Sequence, residues 1–320
     1  MQIRKLSLFS WALLGLMFLG FSACDDDDNN TNPEPQTITE TAAADGQFST
    51  LVSLLQRVDL DVALNNSDGN FTVFAPNNQA FIDAGIDPSQ LDDEELEEIL
   101  NYHVINGASI ASGDLIEGQT YAPSNALTGP GDNALSLLVE RAGVNVTVNG
   151  VADVIAADVR ASNGIIHVID DVLMPLDLVG HAVANSNLSS LVATLTDPDV
   201  PGNLPTLLQS EGPFTVFAPL NSAFAEIQST VDMLTDEQIA RVLTYHVVAS
   251  ANVRSSDLEN GDTVPTANTG QSFTVNIAGE DITITDASGA TINVALTDVQ
   301  ATNGVVHVVN KVLIPSNLTN

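Results

Sequence analysis

Cysteine occurs once in the chain, at Cys24, which excludes an intramolecular disulfide and leaves every folded part to stand on packing alone. Basic residues are almost as scarce. Eight Lys and Arg stand against 41 Asp and Glu, a formal charge of −33, so nucleic acid and anionic lipid are repelled at long range and are excluded as partners. The bland reading of that surface is a self-repelling, solvated exterior; a cation-binding role is the sharper alternative. Aromatics make up 5% of the residues, so the cores must be filled by Val, Leu, Ile and Ala. The longest apolar run, Leu6 to Phe21, is too short for a comfortable membrane span. No HExxH, CxxC, GxSxG or EF-hand loop occurs, and Gly129-x-Gly131-x-x-Ala134 matches a dinucleotide fingerprint only in spacing, with Pro130 and Asp132 inside it. No cofactor, metal site or catalytic residue is expected.

What the chain does have is an internal copy of itself. "ASNGIIHVIDDVLMP" at Ala161–Pro175 returns as "ATNGVVHVVNKVLIP" at Ala301–Pro315, 140 positions later. "FTVFAPNNQAF" from Phe71 returns from Phe214, and "LNYHVI" from Leu100 returns from Leu243, both at 143. The second copy is therefore three residues shorter between its YHV and its NG. Units of about 140 residues are domain-sized, so each should own a core.

Within each unit the pattern predicts helices first and hairpins last, a segregated α+β domain. Phe48, Leu51, Val52, Leu54, Leu55 and Val58 share a helical face, matched by Leu188, Leu191, Val192 and Leu195. "TDPDVPGN" at Thr196–Asn203 reads as a loop. A strand at Phe71–Phe74 should stop at Pro76, with Asn78, or Asn221 in the second unit, capping the helical turn that follows. Thr235 and Gln238 have capping-box spacing, and Asp92 and Glu95 hold the same places in the first unit. The Asn-Gly pair in each closing segment favours a tight primed turn before a buried strand, Ile165–Ile169 or Val305–Val309.

The ordered set "FTVFAPNNQAF", "YHV" and "NGIIHVIDDVLMP", present twice, resembles the two boxes and the central YH motif of the fasciclin domain. The resemblance covers about Thr37 to Asn317. It implies two tandem β-wedge domains flanked by helices, at 37–176 and 177–317, and a role in cell adhesion or matrix contact. It also makes Tyr102, His103, Tyr245 and His246 the candidate adhesion residues; their other reading is packing at a helix-to-strand junction, each polar tip held by the backbone. His167 and His307, set among aliphatics, read as hydrogen-bonded interior histidines.

Ahead of the repeats, Arg4 and Lys5, the apolar run and Ser22-Ala23 read as a signal peptide over 1–23. Cys24 directly after that site resembles the lipobox of bacterial lipoproteins, which implies acylation of Cys24; a plain secretory leader is the alternative. Asp25–Asp28 and the Pro- and Asn-rich residues to 36 read as an extended acidic tether. An acidic run in that place resembles the surface-export signal of Bacteroidetes lipoproteins, implying an outer-membrane lipoprotein facing outward, or the periplasm if the resemblance fails.

The expectation is a lipid-anchored binding protein, not an enzyme, contacting an extracellular protein, a glycan or another cell. The alternative is a structural envelope protein, or a carrier of a small ligand or divalent cation.

Overall fold

A computed structural model describes residues 36–318; the leader, Cys24 and most of the acidic tether lie outside the described residues. Both repeats are α+β and share one topology. The first runs through α1 (Ile38–Ala44), α2 (Ser49–Arg57), α3 (Leu60–Leu64), β1 (Phe71–Pro76), α4 (Asn78–Asp83), α5 (Asp93–Tyr102) and β2 (Val104–Asn106). It closes with β3 (Gly118–Pro123), β4 (Ser136–Ala142), β5 (Asn145–Val148), β6 (Ala152–Ala161) and β7 (Gly164–Ile169). The second opens with α6 (Leu178–Ala184), α7 (Ser189–Leu195), α8 (Leu204–Leu208), β8 (Phe214–Pro219), α9 (Asn221–Val231), α10 (Asp236–Tyr245) and β9 (Val247–Ala249). It ends with β10 (Thr263–Pro265), β11 (Ser272–Ala278), β12 (Asp281–Thr285), β13 (Thr291–Ala301) and β14 (Gly304–Val309).

The seven strands of the first domain lie in the order β2-β1-β7-β6-β5-β4-β3, and those of the second follow the same path. At the centre of each sheet the FTVFAP strand meets the closing strand: β1 and β7 pair in parallel, Phe71 opposite Gly164, as do β8 and β14, Phe214 opposite Gly304. Every residue of these four strands is buried, the near-continuous apolar pattern of strands covered on both faces, interrupted only by Thr72, His167, Thr215 and His307. Alternate residues then feed two cores. Val73, Ala75, Ile166 and Val168 pack against Leu51, Leu55 and Leu100 of the helices. Phe74 and Ile169 face the opposite way, onto Leu137, Val139, Val146 and Val148 of the hairpins. The second domain repeats the division with Val216, Ala218, Val306 and Val308 on one side and Phe217 and Val309 on the other.

The closing Asn-Gly pair does not form the primed turn its composition suggests. Neither Asn163 nor Gly164 adopts a positive φ; that geometry falls instead at Asn149 and Gly150, at 53° and 68°. Asn163 is buried and works as a three-way tie. Its Oδ1 accepts from the Ile38 N–H at 2.9 Å, and its Nδ2 donates to the carbonyls of Leu64 and Asn66 at 2.8 and 2.9 Å. Asn303 makes the equivalent bonds to Leu178, Leu208 and Ser210. In both domains the first helix is thus held to the closing strand.

The cap of α4 is also one residue from its expected place. Asn77 Oδ1 accepts from the Ala80 N–H at 2.9 Å, while Asn78 reaches back to Thr50 N and the Gly46 carbonyl. In the second domain Leu220 holds the cap position without a side-chain bond, and Asn221 ties Ser190 N. Asn77→Ala is therefore expected to cost about 1 kcal/mol by losing a helix cap, measured by urea unfolding. The capping box at Thr235 and Gln238 forms as its spacing predicts.

The largest single length difference between the copies falls in one loop. Between the paired positions Asn125 and Ser136 lie residues 126–135, whereas between Ala267 and Ser272 lie only 268–271. A longer β12–β13 turn, 286–290 against 149–151, returns part of the difference. The extra loop of the first domain reaches the second: Asn252 Nδ2 donates to the Pro130 carbonyl at 3.3 Å, and Arg254 donates to Asn133 Oδ1. Nearby, Gln300 N donates to Ser136 Oγ at 2.9 Å, Asn185 Nδ2 to Tyr121 OH at 3.1 Å and Asn187 Nδ2 to Gln119 Oε1 at 2.6 Å. The joint from Pro175 onward is thus a docked interface, and the two domains form one compact unit.

Candidate functional site

The Tyr-His pairs sit where α5 meets β2 and α10 meets β9, and all four side chains are buried, Tyr102 and Tyr245 completely. A helix ending against a strand leaves carbonyls of its last turn without partners, and the histidine supplies one. His103 Nδ1 lies 2.7 Å from the Ile99 carbonyl, and the Leu173 N–H donates to His103 Nε2 at 2.9 Å. Since Nε2 accepts, Nδ1 carries the proton and donates, which fixes the ring as one neutral tautomer. His246 does the same between the Val242 carbonyl, at 2.8 Å, and the Leu313 N–H, at 2.9 Å. Burial pushes the pKa of each ring down to about 4, the helix carbonyl opposing only in part.

Tyr102 OH donates to the Ser136 carbonyl at 2.8 Å and accepts from Asn149 Nδ2 at 3.0 Å. Tyr245 OH donates to the Ser272 carbonyl at 2.8 Å and accepts from the Ala287 N–H at 3.1 Å. The tyrosine clasps the hairpins and the histidine clasps the segment after the closing strand, so one dipeptide locks both cores. As folded, the polar atoms of these four side chains are engaged inside the domains.

The closing-strand histidines follow the same logic. His167 Nε2 lies 2.9 Å from the Ile110 carbonyl and its ring stacks on Phe74 at 5.6 Å. His307 pairs with the Val253 carbonyl at 2.8 Å and stacks on Phe217 at 5.2 Å, with its pKa lowered chiefly by burial. Above each ring the neighbouring strand bulges through Asp158 or Asp298, at φ near 60°, and the turned carboxylate caps Ser112 or Ser255. Backbone hydrogen bonds to that serine are the main reason Asp158 titrates below the usual carboxylate range. No sequence motif marks these two aspartates; the only visible sign was their recurrence, 140 apart.

The fifth histidine is unlike the rest. His181, on α6, is buried at the domain joint with its ring 5.9 Å from Tyr121, and neither nitrogen has a well-formed hydrogen bond. Burial holds its pKa at about 4, offset in part by the nearby Gln300 backbone. Among the described residues, no three His, Cys, Asp or Glu side chains gather as metal ligands would. No described helix is long and apolar enough to cross a membrane.

Comparison with known proteins agrees with this geometry. The fasciclin domain profile matches twice, at residues 46–175 and 186–315. Protein sll1483 of Synechocystis is 42% identical over 148 residues, covering 43% of this chain and 73% of that protein. The transforming growth factor-beta-induced protein ig-h3 of Sus scrofa is 30% identical over 264 residues, 78% of this chain, and human periostin 29% over 212, 62% of this chain. The matched part spans 35% of ig-h3 and 22% of periostin. Among solved structures, a FAS1 domain pair from the insect cell adhesion molecule Fasciclin I superposes with a TM-score of 0.50 at 21% identity, over 84% of this chain and 97% of that one.

Proposed function

The chain belongs to the fasciclin domain family, and from that premise we propose that it is a non-catalytic binding protein of the cell surface, tethered by an acylated Cys24 and contacting an extracellular macromolecule or another cell through its folded pair. The observation that carries this reading is the fate of the chemically capable side chains. The Tyr-His pairs and the closing-strand histidines are spent on internal hydrogen bonds, in the same way in both domains. What the fold turns outward is surface rather than a reactive cluster. A docked joint presents the two domains to a partner in one fixed relation.

The test uses cells carrying the full chain. Cells expressing it are expected to be retained on matrix-protein or polysaccharide surfaces several-fold better than cells lacking it. Cys24→Ser should release the protein into the medium and abolish that gain. External protease should remove the domains from intact cells. Retention equal in all three strains would overturn the adhesive reading, and protection from protease would confine the domains to the inner face of the envelope.

A further inference from the structure

The two domains share a backbone path, so positions where their side chains part company in a concentrated way mark where one domain has been given a task the other lacks. Five such positions border one open groove of about 680 Å³ on the first domain, between α3, the loop before β1, and the α5–β2 corner. They are Asn66, Asn70, Asn101, Asn106 and Asn125. Their counterparts follow from paired registers and shared hydrogen bonds: Ser210, Pro213, Thr244, Ala249 and Ala267. Every one of the five amides is missing from the second domain. The matching loop there, 209–213, faces the junction segment Pro175–Asp177 instead. Asn268, next to Ala267, does not replace them, because it is buried and its amide is bonded to the Arg241 carbonyl and to Asn317.

Three of the amides are polarised in series. Asn106 Nδ2 donates to Asn125 Oδ1 at 3.3 Å, Asn125 Nδ2 to Asn101 Oδ1 at 2.6 Å, and Asn101 Nδ2 to the Glu97 carbonyl at 3.0 Å. Such a chain strengthens the charge separation at its ends. Its outer end is the side-chain oxygen Asn106 Oδ1, which accepts no hydrogen bond among the described residues. On the α3 side, Asn66 Oδ1 accepts from the Asp68 N–H at 3.1 Å, while its Nδ2 donates to no described group. The groove therefore offers an uncharged acceptor on one wall and an uncharged donor on the other, beside Val62, a residue 70% exposed.

We propose that this groove binds a neutral carbohydrate. Sugar hydroxyls both donate and accept, and the amide is the uncharged side chain that answers both roles at once. The C–H face of a pyranose ring suits the exposed Val62. Asp68 at the rim and the net charge of −33 turn anionic polysaccharides away. The groove volume falls within the ordinary range for small-molecule sites, about 300–1,000 Å³. The proposal deepens the adhesive reading by naming its partner class, and it assigns binding to the first domain alone.

The experiment is calorimetric titration of the full chain with cellohexaose, maltohexaose and laminarihexaose, with oligogalacturonate as the anionic control. It is paired with the side-chain amide signals of ¹⁵N-labelled protein. At least one neutral oligosaccharide is expected to bind and to move the asparagine NH₂ signals. The variant Asn66→Ser/Asn101→Thr/Asn106→Ala/Asn125→Ala, which installs the second domain's residues, should lower that affinity at least tenfold while melting within a few degrees of the parent. The single Asn106→Ala variant provides the same comparison with minimal disturbance. Binding to none of the neutral sugars, affinity unchanged in both variants, tighter binding of oligogalacturonate, or heat from calcium chloride alone each overturns the proposal. Cells retained on a protein matrix by the asparagine variants as well as by the parent would keep the adhesive reading and remove the groove from it.

Discussion

Gly164→Ala is expected to unfold the first domain's centre at a cost of about 4 kcal/mol or more, at the top of the range for single substitutions. Gly164 begins β7 directly opposite Phe71 of β1, and a Cβ placed there would sit 2.2 Å from the Phe71 carbonyl oxygen and 2.7 Å from Ile38 Cδ1. Backbone dihedral strain is not the reason, since the residue has no positive φ. The obstacle is that the parallel strands and the first helix converge on this point, so relief requires β1 and β7 to separate, and both cores are built on that pair. Gly304→Ala meets the Phe214 carbonyl oxygen at 2.1 Å and should do the same to the second domain. Gly46→Ala is the control: nothing lies within 4 Å of its added Cβ, so it is expected to be neutral or to stabilise by up to about 1 kcal/mol through the unfolded chain. Urea unfolding followed by far-ultraviolet circular dichroism separates these outcomes. A Gly164→Ala protein as stable as the Gly46→Ala protein would mean that the β1–β7 spine is not what holds the domain.

That pair of glycines also shows how much could be read without coordinates. The repeat located the closing strands, their burial and the paired histidines, because long apolar runs and duplicated motifs are carried by composition alone. The same reading assigned Gly164 to a primed turn. A glycine reports the absence of a Cβ without saying whether the backbone dihedral or a neighbouring carbonyl requires it, and here the carbonyl does. Asn77 and Asn78 differ in role for a related reason: both side chains can cap, and only the exact start of α4 decides between them. The Tyr-His junction was legible as a place, with adhesion and packing both open, because a dipeptide does not disclose that Ser136 and Leu173, 34 and 70 residues away, will complete its bonds. The domain joint was beyond reach altogether. Tyr121, Asn133 and Ser136 meet Asn185, Arg254 and Gln300 across separations of 64 to 164 residues, and no local pattern encodes such pairs. The asparagine groove lay in the sequence all the same, as the places where two copies of one text disagree.

Lowering the pH from 7.5 to 5 is expected to remove several kcal/mol of stability, and the buried histidines set the window. An unfolded histidine titrates near 6.5, whereas His103, His181 and His246 are held down to about 4 in the folded chain. The unfolded state therefore takes up protons first. Stability is intact above about pH 7, is lost as pH falls through 6.5, and the loss is complete for these groups near pH 4, at about 3 kcal/mol each, of which about 2 kcal/mol is gone by pH 5. Ordinary carboxylates titrate lower, near 4, so this interval reports mainly on the histidines. His181 and His103 should then part company when replaced. His181 has no well-formed hydrogen bond to lose and rests against Tyr121, so His181→Phe should leave stability at pH 7.5 nearly unchanged and exceed the parent by about 2 kcal/mol at pH 5. His103→Phe strands the Leu173 N–H and the Ile99 carbonyl inside the core and should cost about 2–4 kcal/mol at pH 7.5. Denaturant titrations of the three proteins at the two pH values read both effects. An unchanged pH dependence in His181→Phe would show that its ring does not carry the acid sensitivity of the joint, because a side chain that cannot take a proton must flatten the profile if the original one was steepening it.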